Sequence, residues 1–518
     1  MANEQPVNVT RFAVPLLILA AIVPALGALG APFYWIDDHA MILNNPAVNG
    51  TGSLLNVFTT PHFGHYAPLH EILLWRQWQM FGANPLGYRI VSVLLHAGAA
   101  IACFTMLKNL TRRPLLALGV AALWAVHPIQ PESVDWITEQ KTLWCGLFSF
   151  AALALYFNTD RSRALRISVG LLLMGIAGLG KSPALVVGPL VLLYEICAPL
   201  VLSANDAPPK RNLLDTIPFL ALAALFAYVA LRANHDTEDA IAWSARDTLL
   251  NLPGTLLIYL RTAFLPWTAS FFQDLDRVTA FSDPAFWGKL LAIIALFAAG
   301  IFLAGAVRRI LFVFCALAWA LALGPMLNVS ATTFPAYDRF QYMALPFLFL
   351  GAALLVEALL ERLPTVHRRS AQVAVWAPIL LVVGVLGLWR GTLFANEVNV
   401  MLDATQKAPK NAWSYGQFAN TLCPEWMAAA QHQRTDEMRV LAQTIAAATE
   451  KARHCANFDE FYVTPGPLLV TTGQALQASG LTDQAVPFFE AALDPRFSRF
   501  KAAVEEAHKH LDAIKRER

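Results

Sequence analysis

An all-α polytopic membrane bundle with a small helical tail is the fold this sequence predicts, and three observations carry it. Apolar runs of bilayer-crossing length recur from residue 12 to about residue 390. Over 518 residues, 57% are hydrophobic and 14% charged, with 32 Phe and 14 Trp and a mean hydropathy of +0.48, a balance typical of chains solvated by lipid. Beyond residue 391 the composition turns polar and helical. In lipid each backbone amide must be satisfied within its own segment, so runs of this length read as helices. A net charge of +2 without a basic run gives no reason to expect nucleic acid.

The candidate spans, in order, are 12–32, 88–107, 114–128, 142–158, 166–180, 183–203, 214–232, 287–307, 310–327, 341–360 and 371–390. The first follows Arg11 and is not clearly followed by a small-residue cleavage site, so it reads as a retained helix rather than a removed leader. The segment 254–268 is apolar but carries Arg261 at its centre. Lys108/Arg112/Arg113, Arg161/Arg163/Arg166, Lys210/Arg211, Arg308/Arg309 and Arg362/Arg368/Arg369 all fall on the cytoplasmic side only if 254–268 dips in and returns. The charge rule therefore predicts about eleven spans plus a re-entrant segment, with the N-terminus inside and the C-terminus outside. Asp37/Asp38, His62–Arg89, His127–Lys141, Lys181, Asp236–Arg246 and Asp338/Arg339 then share the outer side. Leu69–Phe81 alternates apolar and polar residues at helical spacing, as an interfacial helix does.

Several polar residues in this apolar chain stand out. Asp37 and Asp38 are adjacent acids just past the first span, placed where a carboxylate can take a proton from a hydroxyl. His127, Glu132 and Lys141 bracket a proline-rich turn that also reads as a plain helix connection. Lys181 lies in Gly-Lys-Ser, but without the glycine spacing of a phosphate loop, and a snorkelling anchor is the plainer reading. Arg261, and Arg339 in Asp338-Arg-Phe-Gln-Tyr342, need anionic partners at membrane depth, either a protein acid or a lipid phosphate. His62, His65, His70 and His96 match no common metal spacing, and no zinc pattern exists among the six cysteines.

Taken together and in order, these residues resemble a known family. Asp37-Asp38 with Asn45-Pro46, Pro68-Leu69, Phe81-Gly-x-Asn-Pro85, Leu94-Leu-His96, His127-Pro-Ile-x-x-Glu-Ser-Val134, Lys141, Lys181, Tyr259-x-Arg261 with Pro266, and Asp338-Arg-Phe-x-Tyr342 are similar to the GT-C-type membrane glycosyltransferases that carry tetratricopeptide repeats. These are relatives of the transmembrane-and-TPR protein O-mannosyltransferases. The match runs from about residue 33 to 360. The chain departs from the family pattern at Ala67, Tyr88-Arg89, Ser92, Gln140 and Ser182, which bears on the donor sugar.

The resemblance implies an inverting transferase in a bacterial inner membrane, using a polyprenyl-phosphate sugar on the periplasmic side. Asp37 or Asp38 is then the base. Arg89, His127, Glu132, Lys141, Lys181, Arg261, Asp338, Arg339 and Tyr342 form the donor phosphate and sugar site. No cofactor beyond the lipid-linked substrate is implied, and metal dependence stays open. The expected acceptor is a protein Ser or Thr, on a surface or pilin-type protein. A lipid or glycan acceptor, or a non-catalytic scaffold or transporter, are the alternatives. A transporter would more often place its acids near mid-membrane.

The expected division is 1–390 for the membrane domain and 391–518 for a periplasmic TPR-like domain. Gly473, Leu476, Gly480, Ala485, Phe489 and Ala492 sit at the small and apolar positions of one repeat hairpin. One hairpin cannot cover its own face, so neighbouring helices must do so. Cys423 and Cys455 are the two cysteines outside the spans. In an oxidising compartment they are expected to form a disulfide worth roughly 3 kcal/mol, with two free buried thiols as the alternative.

Overall fold

The structure, a computed structural model, describes residues 9–60, 66–201, 212–235, 243–327, 336–460 and 465–517. His62, His65, Lys210, Arg211 and the start of the 236–246 segment lie outside these residues. Among the described residues there is no strand, and the chain is helical as expected. It runs through α1 (Val9–Ile22), a turn α2 (Pro46–Asn49), α3 (Pro68–Phe81), α4 (Pro85–Thr111), α5 (Pro114–Ala125) and a turn α6 (Pro131–Val134). Then follow α7 (Gln140–Tyr156), α8 (Arg163–Gly178), α9 (Val187–Val201), α10 (Ile217–His235) and α11 (Ala245–Phe264). The bundle closes with α12 (Pro284–Leu303), α13 (Gly305–Leu323), α14 (Leu345–Leu360) and α15 (Thr365–Leu393).

Local chemistry sets many of the starts. Asn45, Asn84, Asn396 and Asn411 each cap a helix by accepting from the amide two residues on, and Pro46 and Pro85 occupy the first helical position, where the missing N–H costs nothing. Five helices among the described residues are long and apolar enough to cross a bilayer: Pro85–Thr111, Leu213–Ala233, Pro284–Leu303, Arg308–Met326 and Ser370–Leu393. Four apolar helices are shorter, Arg11–Ala25, Pro114–Ala125, Ser182–Cys197 and Leu345–Leu360. Close packing uses glycine where α15 meets the end of α5 and the segment after α1. A Cβ on Gly387 would overlap the Val126 carbonyl, and one on Gly391 the Pro24 carbonyl, so the small residues four apart let the backbones touch.

The bundle has two chemically distinct ends. At one end, ion pairs join Arg112 to Asp160 at 3.3 Å, Arg113 to Glu357 at 2.6 Å, Arg163 to Asp215, and Arg308 to Glu361. These pairs bring three basic turns, those of Arg112/Arg113, Arg163 and Arg308, onto one face. Asp37, Glu139, Lys181 and Arg339 lie at the opposite end. Helix α10 starts beside Asp215 at the basic end, and α12 finishes there just before Arg308. Both termini of α11 lie at the other end: Asn251 bonds the backbone of Val278 near the start of α12, and the Ala263 carbonyl meets His127. The Arg261 segment therefore does not run from end to end.

The tail packs at the same end as Asp37. It comprises α16 (Glu397–Lys407), α17 (Ala412–Gln431), α18 (Thr435–Arg453), α19 (Pro465–Ala478), α20 (Thr482–Ala492) and α21 (Lys501–Glu517). Gly480, at φ +75°, turns α19 into α20, and the Phe489 ring fills the space beside Gly473. The hairpin's open face is covered from both sides. Thr449 on α18 bonds Thr472 at 2.8 Å, and His510 on α21 stacks on Phe489 with centroids 4.8 Å apart.

The expected Cys423–Cys455 disulfide is not formed, because both thiols are free. Helices α17 and α18 run antiparallel, and Cys455 meets the Pro409 carbonyl just before α17. Cys423 lies eleven residues into α17, about 16 Å further along its axis. That separation exceeds what a disulfide spans.

Candidate active site

The two adjacent acids have different surroundings. Asp38 is buried and accepts from the Tyr34 amide at 3.0 Å, the Thr138 amide at 2.9 Å and the Thr138 hydroxyl at 2.5 Å. It ties the loop after α1 to the turn before α7. Burial raises its carboxyl above the ordinary range, while the Thr138 bonds oppose the shift. The Asp37 side chain is half-buried and takes no hydrogen bond from the described residues. Burial pushes its carboxyl up to about 6, against the pull of Lys141 and Arg339.

A second carboxylate organises the cations. Glu139 is buried and meets Lys181 at 2.9 Å, Arg339 at 3.4 Å and Lys141 at 3.6 Å. Burial alone would raise its carboxyl, but Lys181, Lys141 and Arg339 together hold it well below the usual carboxylate range. Lys181 also donates to the Thr142 hydroxyl at 2.7 Å. The Arg339 guanidinium pairs with Glu132 and lies 3.8 Å from the centroid of the Tyr337 ring, a cation–π contact that keeps its plane fixed. Lys181, Arg339, Thr142, Tyr342 and Met343 line a cavity of about 20 Å³. Glu139 escaped the sequence reading, although it sits two residues before Lys141. An acid next to a lysine reads as a surface pair until the fold brings two more cations to it.

The remaining residues expected at the site divide by geometry. Tyr342 lines the cavity, and its hydroxyl contacts His96 Nδ1 at 2.8 Å. Asp338 is buried and accepts from the Ser270 amide at 2.8 Å and from Gln273 at 3.2 Å. Burial pushes its carboxyl up to about 6. It anchors the loop after α11 and presents Arg339. His127 joins the Ala263 carbonyl at 3.1 Å and thereby fastens α11. Arg261 is exposed and donates to Gln273 at 2.7 Å, not to an acid of the Glu139 cluster.

Arg89 requires a correction. Its guanidinium is buried and donates to the carbonyls of Ala31 at 3.3 Å, Pro32 at 2.8 Å and Asp135. It is a buried backbone clamp that spends three of its N–H groups on carbonyls, not a cation open to a phosphate. Three of the positions that depart from the family pattern meet nearby. Gln140 donates to the Tyr88 carbonyl at 2.8 Å and to the Ser92 hydroxyl at 3.1 Å. Among the described residues no group of three His, Cys, Asp or Glu side chains is arranged to hold a metal.

No family model matches the chain. Over 196 residues it is 29% identical to a protein O-mannosyl-transferase of Caenorhabditis elegans, covering 35% of this chain and 28% of that protein. Over 292 residues it is 26% identical to the Drosophila melanogaster protein O-mannosyl-transferase Tmtc1, covering 53% of this chain and 31% of that one. The matches thus span less than a third of these curated relatives. ArnT from Cupriavidus metallidurans, solved with undecaprenyl phosphate, aligns over 94% of this chain and 80% of its own with a TM-score of 0.39 and 13% identity, a likeness too slight to decide anything about the site. By sequence, the relatives of this chain are protein O-mannosyl-transferases of the transmembrane-and-TPR kind.

Proposed function

We propose that this chain is an inverting membrane glycosyltransferase that moves a sugar from a polyprenyl-phosphate donor to a protein Ser or Thr hydroxyl. One observation carries the reading: the Asp37 side chain takes no hydrogen bond from the described residues and lies within electrostatic reach of Lys141 and Arg339, and Arg339 lines one cavity together with Lys181. Asp37 takes the proton of the acceptor hydroxyl, whose oxygen bonds to the anomeric carbon as the carbon–oxygen bond to the lipid phosphate breaks. Lys141, Lys181 and Arg339 stabilise the charge that develops on the leaving phosphate. Tyr342 lines the small cavity beside these cations, Glu132 fixes Arg339, and Asp338 and His127 hold the loops around it. The site faces the periplasm of a bacterial inner membrane, residues 1–390 form the catalytic domain, and 391–518 form a TPR-like domain.

Mass spectrometry of periplasmic proteins and lipid extracts, from cells with and without this chain, tests the reading and names the acceptor class. Asp37→Asn keeps size and removes the base, so product falls by roughly 10²–10⁴-fold at normal expression. Asp38→Asn weakens the Thr138 bonds and lowers the amount of folded protein instead. Undiminished product in the Asp37→Asn strain would overturn the mechanism.

A further inference from the structure

Glu397 opens α16, beyond the last helix of the bundle, yet it is only 8% exposed. One of its carboxylate oxygens accepts from the Trp35 amide at 2.6 Å, and the other from the Ile36 amide at 3.0 Å. The next residue is Asp37. Three consecutive amides are therefore held by carboxylates, since Tyr34 bonds Asp38 at 3.0 Å. These amides lie outside any helix, so the loop owes its shape to side chains. The Tyr34 hydroxyl also donates to the carbonyl of Phe394, three residues before Glu397.

Helix α16 is itself anchored to the bundle. Asp403 pairs with Arg390 on α15 and with Lys407 at 3.1 Å. Lys407 donates to the Ala269 carbonyl at 2.8 Å, and Asn411 to that of Gln273 at 3.1 Å. Helix α16 and the Asn411 cap that follows it thus brace both the loop that carries Asp37 and the loop whose Gln273 holds Asp338 and Arg261.

We propose that Glu397 is a positioning residue for Asp37: it fixes the two amides before the base so that the carboxylate faces Lys141 and Arg339. The inference rests on the catalytic reading of Asp37 given above. Burial pushes the Glu397 carboxyl up to about 7. Above that value the ionised carboxylate's bonds to backbone amides are among the stronger fixed contacts, and a base displaced by about 1 Å loses on the order of 10²-fold in rate.

The test uses the full chain in lipid nanodiscs for hydrogen exchange, and isolated cell membranes, which supply donor and acceptor, for product formation. In Glu397→Ala, the amides of Trp35 and Ile36 exchange at least about tenfold faster. Product falls by about 10- to 100-fold, and the acidic limb of the pH profile moves as Asp37 is re-solvated. Glu397→Asp recovers part of the yield. If Glu397→Ala does not accumulate, Glu397→Gln, which keeps one acceptor oxygen, gives the same readouts. Unchanged protection of the two amides overturns the proposal, and so does faster exchange with undiminished product. Asp37→Asn run in parallel separates the failures: if it is active, the catalytic reading falls. If it is inactive while Glu397→Ala transfers normally, only the positioning role falls.

Discussion

Asp37 and Asp38 show how neighbouring identical side chains take different work from their surroundings. Asp38 spends its oxygens on Tyr34 and Thr138, whereas the Asp37 side chain accepts no hydrogen bond from the described residues. The Asp37 carboxyl, raised to about 6 chiefly by burial, must be ionised to act as a base. Transfer therefore falls about tenfold per pH unit below that value and levels off above it. Stability responds with the opposite sign. The folded chain binds this proton more tightly than the unfolded chain, whose carboxyl has the ordinary value of 3.8, so this group's stabilising effect declines as pH rises between the two. Transfer rates and melting temperatures measured from pH 4.5 to 8 check both signs, and Asp37→Asn abolishes this group's share of each slope. Glu139 has a different kind of importance, because three cations share it. Glu139→Gln leaves them without their common counter-charge and destabilises the protein by about 3–5 kcal/mol, read as a lower melting temperature in detergent. Undecaprenyl phosphate, supplying the missing negative charge, then raises the melting temperature of the variant more than that of the wild type. An equal shift in both proteins removes the phosphate from this cluster.

Elements were largely legible in the sequence, because length, apolarity and caps are local properties. Asn84-Pro85 announces the start of α4, Gly480 the turn between α19 and α20, and the alternation over Leu69–Phe81 is helix α3. What failed at Cys423/Cys455 and Arg89 depends on how far apart two elements place their residues, although Lys141, Lys181 and Arg339 do meet as expected. The spacing of Cys423 and Cys455 suggested a closed loop, but the antiparallel pairing of α17 and α18 puts one thiol mid-helix and the other past a helix end. Both thiols are accordingly expected to alkylate without prior reduction, and intact-mass analysis under denaturing, non-reducing conditions counts them directly. A mass two hydrogens lighter, with neither thiol labelled, would mean that α17 and α18 pack in another register. Arg89 failed in the same way: its charge was visible, whereas the three carbonyls that occupy it come from segments 46 to 58 residues away. Glu397 could not be found locally at all, since its partners lie 361 and 362 residues upstream.

At the scale of the whole molecule, charge and connectivity make one argument. The ion pairs of Arg112, Arg113, Arg163 and Arg308 occupy a single end of the bundle, and the candidate site and the tail occupy the other. Because both termini of α11 stay at the site end, the chain returns from α15 to that end and leaves the tail beside Asp37. Lys and Arg in short loops are retained in the cytoplasm, and in the orientation proposed above the site end is the outer one. The bracing by α16 also changes how the tail is to be tested. Deleting residues 391–518 removes Glu397 together with any acceptor surface, so loss of activity on truncation says nothing about acceptor binding. Topology is accordingly read on the intact chain, with alkaline phosphatase fused after Arg518 and, separately, inserted in the loop between Asn158 and Ser162. The first fusion is expected to be enzymatically active, since the phosphatase folds with its disulfides only outside the cytoplasm, and the second inactive. The reverse pattern would turn the bundle over and place Asp37 on the cytoplasmic side, where a periplasmic acceptor never reaches it.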